Sequence, residues 1–392
     1  MDVSESYLYS IPYLILLSFL FFLYYKESQN NSILKPRKIQ LIAMFSLLLF
    51  IGLRGFVYSD WASYYPTFNE MPTFWDGDIL TFINDSRFET GFVIYSIIIK
   101  SIFPDYFVWV FINTLIDLWI LDLIFRRYSK SFILACIVFF VMNGILIEFN
   151  LYRNSKAIML FLLSIRFLEE KKFIPYLLIN LLGATFHSSA LILIPLYFVF
   201  TRSISNKVAW IIFILGNIIF LFQIKWFQLI LEPLFNILNF INLRDSFSNY
   251  TEAPSLFSIS IGYIERIITF VVFITYKDRL IQANKSNLIF YNMYLLYIIS
   301  VLYLFEVQVF VERFSYIFIF SYWVLYPNVL NLVENKRVKR YFIFAIIIFS
   351  YLRVMTANRS VLAKYDNQIF GIEDYDQRDV IFKRDSDLNY EE

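Results

Sequence analysis

Apolar residues run through this chain in blocks long enough to cross a bilayer, separated by short polar joints. A hydrocarbon layer about 30 Å thick takes roughly 20 residues of helix. Runs of suitable length lie near 7–25, 39–53, 106–125, 131–147, 157–168, 173–186, 188–200, 208–224, 256–276, 288–305, 314–330 and 341–357. A further stretch, 91–103, is shorter, carries Lys100 and ends at Pro104-Asp105. If it dips into the membrane and returns, one side collects eighteen cations in six short loops: Lys26, Lys35, Arg37, Lys38; Arg126, Arg127, Lys130; Lys171, Lys172; Arg202, Lys207; Lys277, Arg279, Lys285; Lys336, Arg337, Lys339, Arg340. The opposite loops before the tail carry only Arg54, Arg87, Arg153, Lys156, Lys225, Arg244 and Arg313. A full crossing at 91–103 destroys that asymmetry, and the positive-inside rule makes the richer side cytoplasmic. The pattern therefore predicts an all-α polytopic membrane protein with about twelve transmembrane helices plus one re-entrant element. It forms one membrane domain over 1–357, with both termini outside and long outer loops at 54–90 and 225–255. The first run follows Asp2 and Glu5 with no basic segment before it, and reads as a retained span rather than a cleaved signal. The polar tail, 358–392, shows no helical stripe and is expected to be a loose appendage.

Composition agrees with the pattern. Apolar residues make up 59% and charged residues 17%, against roughly 45–50% and 25% in soluble proteins; the mean hydropathy is +0.60. A net charge of +2 with no long basic run disfavours a nucleic-acid partner. One cysteine, Cys136, excludes an intramolecular disulfide and CxxC chemistry, and one histidine, His187, excludes HExxH and multi-histidine metal sites. No phosphate-binding glycine motif is present, and nothing in the sequence asks for a cofactor. The halves of the chain do not mirror one another, which weakens a transporter reading.

An ionisable residue at the edge of a span costs roughly 2.5–3.5 kcal/mol and so tends to face a cavity or a partner. On the predicted topology such residues gather at the outer ends of the spans: Arg54, Asp60, Glu89, Glu148, Arg153, Lys156, His187, Glu306, Glu312 and Arg313. Arginines around an outward cavity suit an anion, because guanidinium binds phosphate oxygens in pairs and stays charged. His187, Asp60 and Glu89 are the candidate proton acceptors. ATP and nucleotide sugars are cytoplasmic, which leaves a lipid diphosphate as the natural outer-face ligand. Each residue also has a plainer role open to it. His187 also has a reading as a hydrogen-bonded structural residue, though its place between two half-length apolar runs favours a functional one; the arginines read also as anchors reaching for headgroups, and Tyr64, Tyr65, Trp61 and Trp75 as interface aromatics rather than sugar platforms. Asp76-Gly77-Asp78 has the look of a metal motif in what reads as an ordinary loop.

The segment Gly52-Leu53-Arg54-Gly55-Phe56-Val57-Tyr58-Ser59-Asp60-Trp61-Ala62-Ser63-Tyr64-Tyr65 resembles the LRxxxGxDxxxYxxxF stretch of EpsG-type membrane proteins, which are grouped with Wzy-type repeat-unit polymerases. Glu89-Thr90-Gly91-Phe92, Arg153, Phe186-His187-Ser188-Ser189-Ala190 with Pro195, and Arg313 with Pro327 are similar to later elements of that family, in order. Tyr58 stands where the family usually has a glycine. The resemblance spans roughly 40–330. It implies a GT-C-like helical membrane enzyme, a metal-independent glycosyltransferase that joins undecaprenyl-diphosphate-linked oligosaccharides at the outer face of the bacterial inner membrane, making O-antigen, capsule or exopolysaccharide. Donor and acceptor are then both lipid-linked, and a chain-length-regulating co-polymerase is a candidate partner. His187, Asp60 and Glu89 would be catalytic, with Arg54, Arg153, Arg313, Tyr64 and Tyr65 binding substrate. The rival readings are a lipid-linked oligosaccharide flippase and an O-antigen ligase-type transferase.

Overall fold

The computed structural model describes residues 4–29, 36–226, 229–230 and 260–391, so most of the expected outer loop 225–255, with Arg244, lies outside the described residues. Among these residues the chain is all helical, with no strand and only isolated bridges such as Arg54 with Asn367. Four helical stretches are long and apolar enough to cross a membrane: Tyr7–Ser28, Tyr106–Tyr128, Phe132–Asn150 and Lys336–Ala357. Five shorter apolar helices accompany them.

The chain forms two compact units, Met1–Ile194 with Val333–Glu392, and Pro195–Leu332. The first holds α1 (Ile11–Ser28), α2 (Pro36–Gly52), the short α3 (Trp61–Glu70) and α4 (Ile79–Asp85), α5 (Thr90–Ile102) and α6 (Tyr106–Tyr128). It continues through α7 (Phe132–Phe139), α8 (Ile145–Asn150), α9 (Tyr152–Glu169) and α10 (Phe173–Phe186) to a 3-10 turn, Ser188–Ile192. Helix α11 (Leu193–Phe200) leads into the second unit, which holds α12 (Asn206–Leu221), α13 (Ile261–Ala283), α14 (Asn287–Tyr303), α15 (Gln308–Phe318) and α16 (Phe320–Leu332). The chain then re-enters the first unit as α17 (Lys336–Ala357) and ends in α18 (Tyr375–Glu391).

Helix starts follow local chemistry. Asp105 and Ser131 begin α6 and α7 by accepting from the N–H of Val108 and Leu134, and Asn335 begins α17 by accepting from Arg337 and Val338. The predicted span 131–147 is interrupted by a π turn at Phe140–Gly144, where Asn143 takes φ +61°. Arg353 of α17 holds that break, donating to the Val141 carbonyl at 3.1 Å and to Asn143 Oδ1 at 2.9 Å.

The stretch 91–103 is a single helix, α5, about 20 Å long at 1.5 Å per residue, joined to α6 by Phe103–Asp105. Tyr95 reaches Asn113 and Ser96 reaches Trp109, the descending order of antiparallel neighbours. Lys100 is anchored by backbone: its ammonium donates to the carbonyls of Phe68, Asn69 and Met71, at 2.7, 2.8 and 2.6 Å, and so caps the end of α3.

The tail is not a loose appendage. Arg378 is 2% exposed, pairs with Asp366 and Glu373 and donates to the Lys364 carbonyl. Tyr375 packs on Phe56, Trp61 and Tyr65. Gly55 admits the tail, since a Cβ there would overlap the Asp366 carboxylate.

Candidate functional site

The first turn of α9 gathers the site. Five consecutive side chains leave it for partners far away in sequence. Tyr152 Oη accepts from Arg54 at 2.8 Å, and Arg153 donates through Nε to Tyr64 Oη at 2.9 Å and through Nη1 to Glu89. Asn154 accepts from Ser189 Oγ at 3.1 Å. Ser155 donates to Asp117 at 2.9 Å, and Lys156 pairs with Asp117 at 2.7 Å while donating to the Asn113 carbonyl. The apolar run predicts a helix only from 157, because residues 152–156 read as a polar joint. Their partners are what allow the helix to begin five residues earlier.

Glu89 sits at the start of α5 with both oxygens engaged, one by Arg153 and the other by the backbone N–H of Ser188 at 3.2 Å. Burial alone would raise its pKa, but the hydrogen bonds from backbone and the Arg153 guanidinium bring it below the ordinary carboxylate value. Gly91 lets α5 close on α10: a Cβ there would overlap Thr185 Oγ1 and press on the Thr185 carbonyl, two residues before His187. Arg153 lies over the Phe88 ring at 4.7 Å, and its Nη2 makes no hydrogen bond within the described residues.

His187 is the joint between α10 and the following 3-10 turn, with an extended backbone and a buried ring. Nδ1 accepts from the Ser189 N–H at 3.2 Å and lies 2.8 Å from Ser189 Oγ.

Asp60 lies at the start of α3 without capping it, and its backbone N–H, with that of Ser59, donates to Asn150 Oδ1. Burial pushes its carboxyl up to about 7, against the opposing pull of Arg153 and Arg54. Asp60 lines an open cleft of ≈ 890 Å³ whose walls come from α3, α4 and α18. The loop before it turns through Tyr58 at φ +66°, the left-handed region that favours glycine. This is the position where the resembling motif has glycine. The strain, about 1–2 kcal/mol, is offset by the Tyr58 N–H to the Leu362 carbonyl at 2.7 Å, its hydroxyl to Asn358 at 2.8 Å, and packing on Phe149. The tail thus holds this loop in its glycine-like shape.

The remaining predicted residues separate by environment. Arg54 is 1% exposed, with Nη1 on the Ile51 carbonyl, Nη2 on the Glu148 carbonyl and on Tyr152, and its plane over Phe149 at 4.6 Å. That arrangement makes it a brace for the site rather than a surface offered to a ligand. Tyr64 and Tyr65 belong to an aromatic cluster with Phe56, Trp61, Phe88 and Trp109. Arg313 lies in the second unit, exposed on α15. Asp76 closes a turn by accepting from Thr73 N–H and Oγ, and among the described residues no group of three His, Cys, Asp or Glu is placed to hold a metal.

Asp117 is the residue that sequence reasoning passed over. It is buried in the middle of a 23-residue apolar helix, and a carboxylate at such a depth is itself the signal. Glu148 is likewise buried, with no hydrogen-bond partner for Oε1 among the described residues.

The model of the EpsG family matches residues 38–370. Neither curated proteins nor solved structures give a match. The match covers most of the chain, and the protein belongs to the EpsG family of Wzy-type, exopolysaccharide-polymerase-like membrane proteins.

Proposed function

We propose that this chain polymerises oligosaccharide repeat units carried on undecaprenyl diphosphate, at the outer face of the bacterial inner membrane, through about twelve crossings and the re-entrant α5. Family membership supports a polymerase-like role in polysaccharide biosynthesis. The observation that carries the finer reading is the convergence on one helix turn of a guanidinium whose Nη2 makes no hydrogen bond among the described residues, an imidazole, and two carboxylates of opposite character.

The chemistry needs little else. The bond from the donor's anomeric carbon to the diphosphate oxygen breaks, and the diphosphate leaves with the electron pair. An acceptor-sugar hydroxyl forms the new bond to that carbon and gives up its proton. Asp60, with its carboxyl poised near neutrality, is the better base; Glu89, held ionised by Arg153 and the Ser188 N–H, is the weaker one. Arg153, and His187 in its protonated form, supply donors for the departing charge beside the positive end of α9. Lys156 and Arg54, already committed to partners, fix the turn that carries them.

The test is surface glycan from cells carrying His187→Ala or Arg153→Ala at normal protein level. The expected display falls to a single repeat unit. Full-length polymer from the double variant contradicts the site, and loss of the single-unit form as well points instead to a flippase.

A further inference from the structure

The ≈ 890 Å³ cleft beside the site has a chemistry of its own. Its volume falls within the about 300–1,000 Å³ of ordinary ligand pockets. Around it stand Asp60, Glu70 and Asp85 against a single cation, Arg87, with the hydroxyls of Ser59, Ser63 and Thr67 between them. Arg87 is tied to Ser63 and lies over the Phe88 ring at 5.2 Å. Glu70 and Asp85, joined by Asp60 as it ionises, outweigh the one guanidinium and repel a diphosphate, so the cleft does not serve the phosphate end of a lipid-linked substrate. Hydroxyls and carboxylates beside aromatic rings are the groups that recognise sugar: the polar groups take its hydroxyls, and the ring faces take its C–H surface.

Two aromatic rings complete the walls, Phe82 from α4 and Phe382 from α18. Phe382 packs on Trp61 at 5.9 Å, and α18 is fixed in place by the buried Arg378 and by Tyr375 stacked on Tyr65 at 4.9 Å. Residue 382 lies beyond the family match, which ends at 370. The Phe382 side of the wall is therefore built from a part of this chain that the shared family pattern does not contain.

We infer that this cleft is the glycan subsite, taking an uncharged or amine-bearing stretch of the oligosaccharide, and that α18 is a specificity wall added to the family's common machinery. The inference rests on the proposed polymerase reading, since that reading supplies the oligosaccharide. The two parts of the substrate are then held by opposite fields, the phosphate end at the α9 turn and the sugars over α3.

The test is equilibrium binding of a fluorescently labelled oligosaccharide, released by hydrolysis from the host's own surface glycan, to the full-length protein in detergent. Phe382→Ala is expected to weaken binding about fivefold through loss of one aromatic face. Asp85→Asn, on an exposed residue at the end of α4, is expected to weaken it by a comparable factor. Unchanged binding in both variants overturns the cleft assignment, and so does a wild-type chain that binds no oligosaccharide. Neither result touches the polymerase reading, which fails separately if the His187 and Arg153 variants still display polymer.

Discussion

The two units differ in what their buried polar residues hold. In the second unit several end on backbone or on their own helix, and others tie one packed helix to the next. Asn292 donates to the carbonyls of Val199, Phe200 and Arg202 at 3.2, 2.8 and 2.8 Å. Lys277 closes on the Ile204 carbonyl and Asn206, and Glu265 accepts from Thr269 one turn away and from Tyr326, among packed tyrosines such as Tyr294 and Tyr322. In the first unit, the α9 turn sends side chains to other side chains across 35 to 98 residues of sequence, beside an opening that Asp60 lines. The first pattern stitches helix ends together. The second holds charges in fixed positions near a space where a ligand fits, and it is the one expected to carry chemistry.

That contrast breaks most sharply at Lys156. Lys156→Met leaves Asp117 charged and unpaired in the bundle, a loss of about 3–5 kcal/mol; Asp117→Leu added to it is expected to restore most of that. Asn292→Leu removes a donor from the carbonyls of Val199, Phe200 and Arg202, of which that of Val199 keeps the Arg202 N–H, and is expected to cost about 1–3 kcal/mol, with glycan made per folded molecule unchanged. Thermal unfolding in detergent together with surface glycan measures both. If Asn292→Leu abolished polymer at normal protein level, the second unit's polar residues would be more than stitching.

A smaller effect sharpens the role of Asp60. Its carboxyl is raised by burial to about 7, so the protonated form is the one the fold favours. That favour is complete below the ordinary carboxylate pKa and is lost as pH rises through about 7. A base must be ionised, so the polymerisation rate is expected to rise with pH, about tenfold per unit below 7, and level off above it. The limb should disappear in the residual activity of Asp60→Asn. A rate that is flat between pH 5 and 7 would assign the proton to another group.

The helices were legible because apolar runs of bilayer length have few other solutions: each predicted run holds a helix wherever the structure describes it. The polar ends were not. Residues 152–156 read as a joint because nothing local reveals Asp117, Glu89 or Ser189 as their partners. Arg54 reads as a ligand-facing cation because its burial depends on Tyr152 and on the carbonyl of Glu148. The tail's polarity hides its docking for the same reason, since Tyr375 meets Phe56 and Tyr65 more than 300 residues away in sequence. Tyr58 is the converse case. The sequence shows a missing glycine, and the structure shows the same left-handed turn kept by contacts from the tail.

The most direct measurement is polymerisation by the purified chain in vesicles, supplied only with its undecaprenyl-diphosphate-linked repeat unit and read as a ladder of product lengths. The wild-type chain is predicted to build the ladder with no nucleotide present, and His187→Ala or Arg153→Ala to slow it by about 100-fold or more. A ladder that both variants build at the wild-type rate would contradict the account.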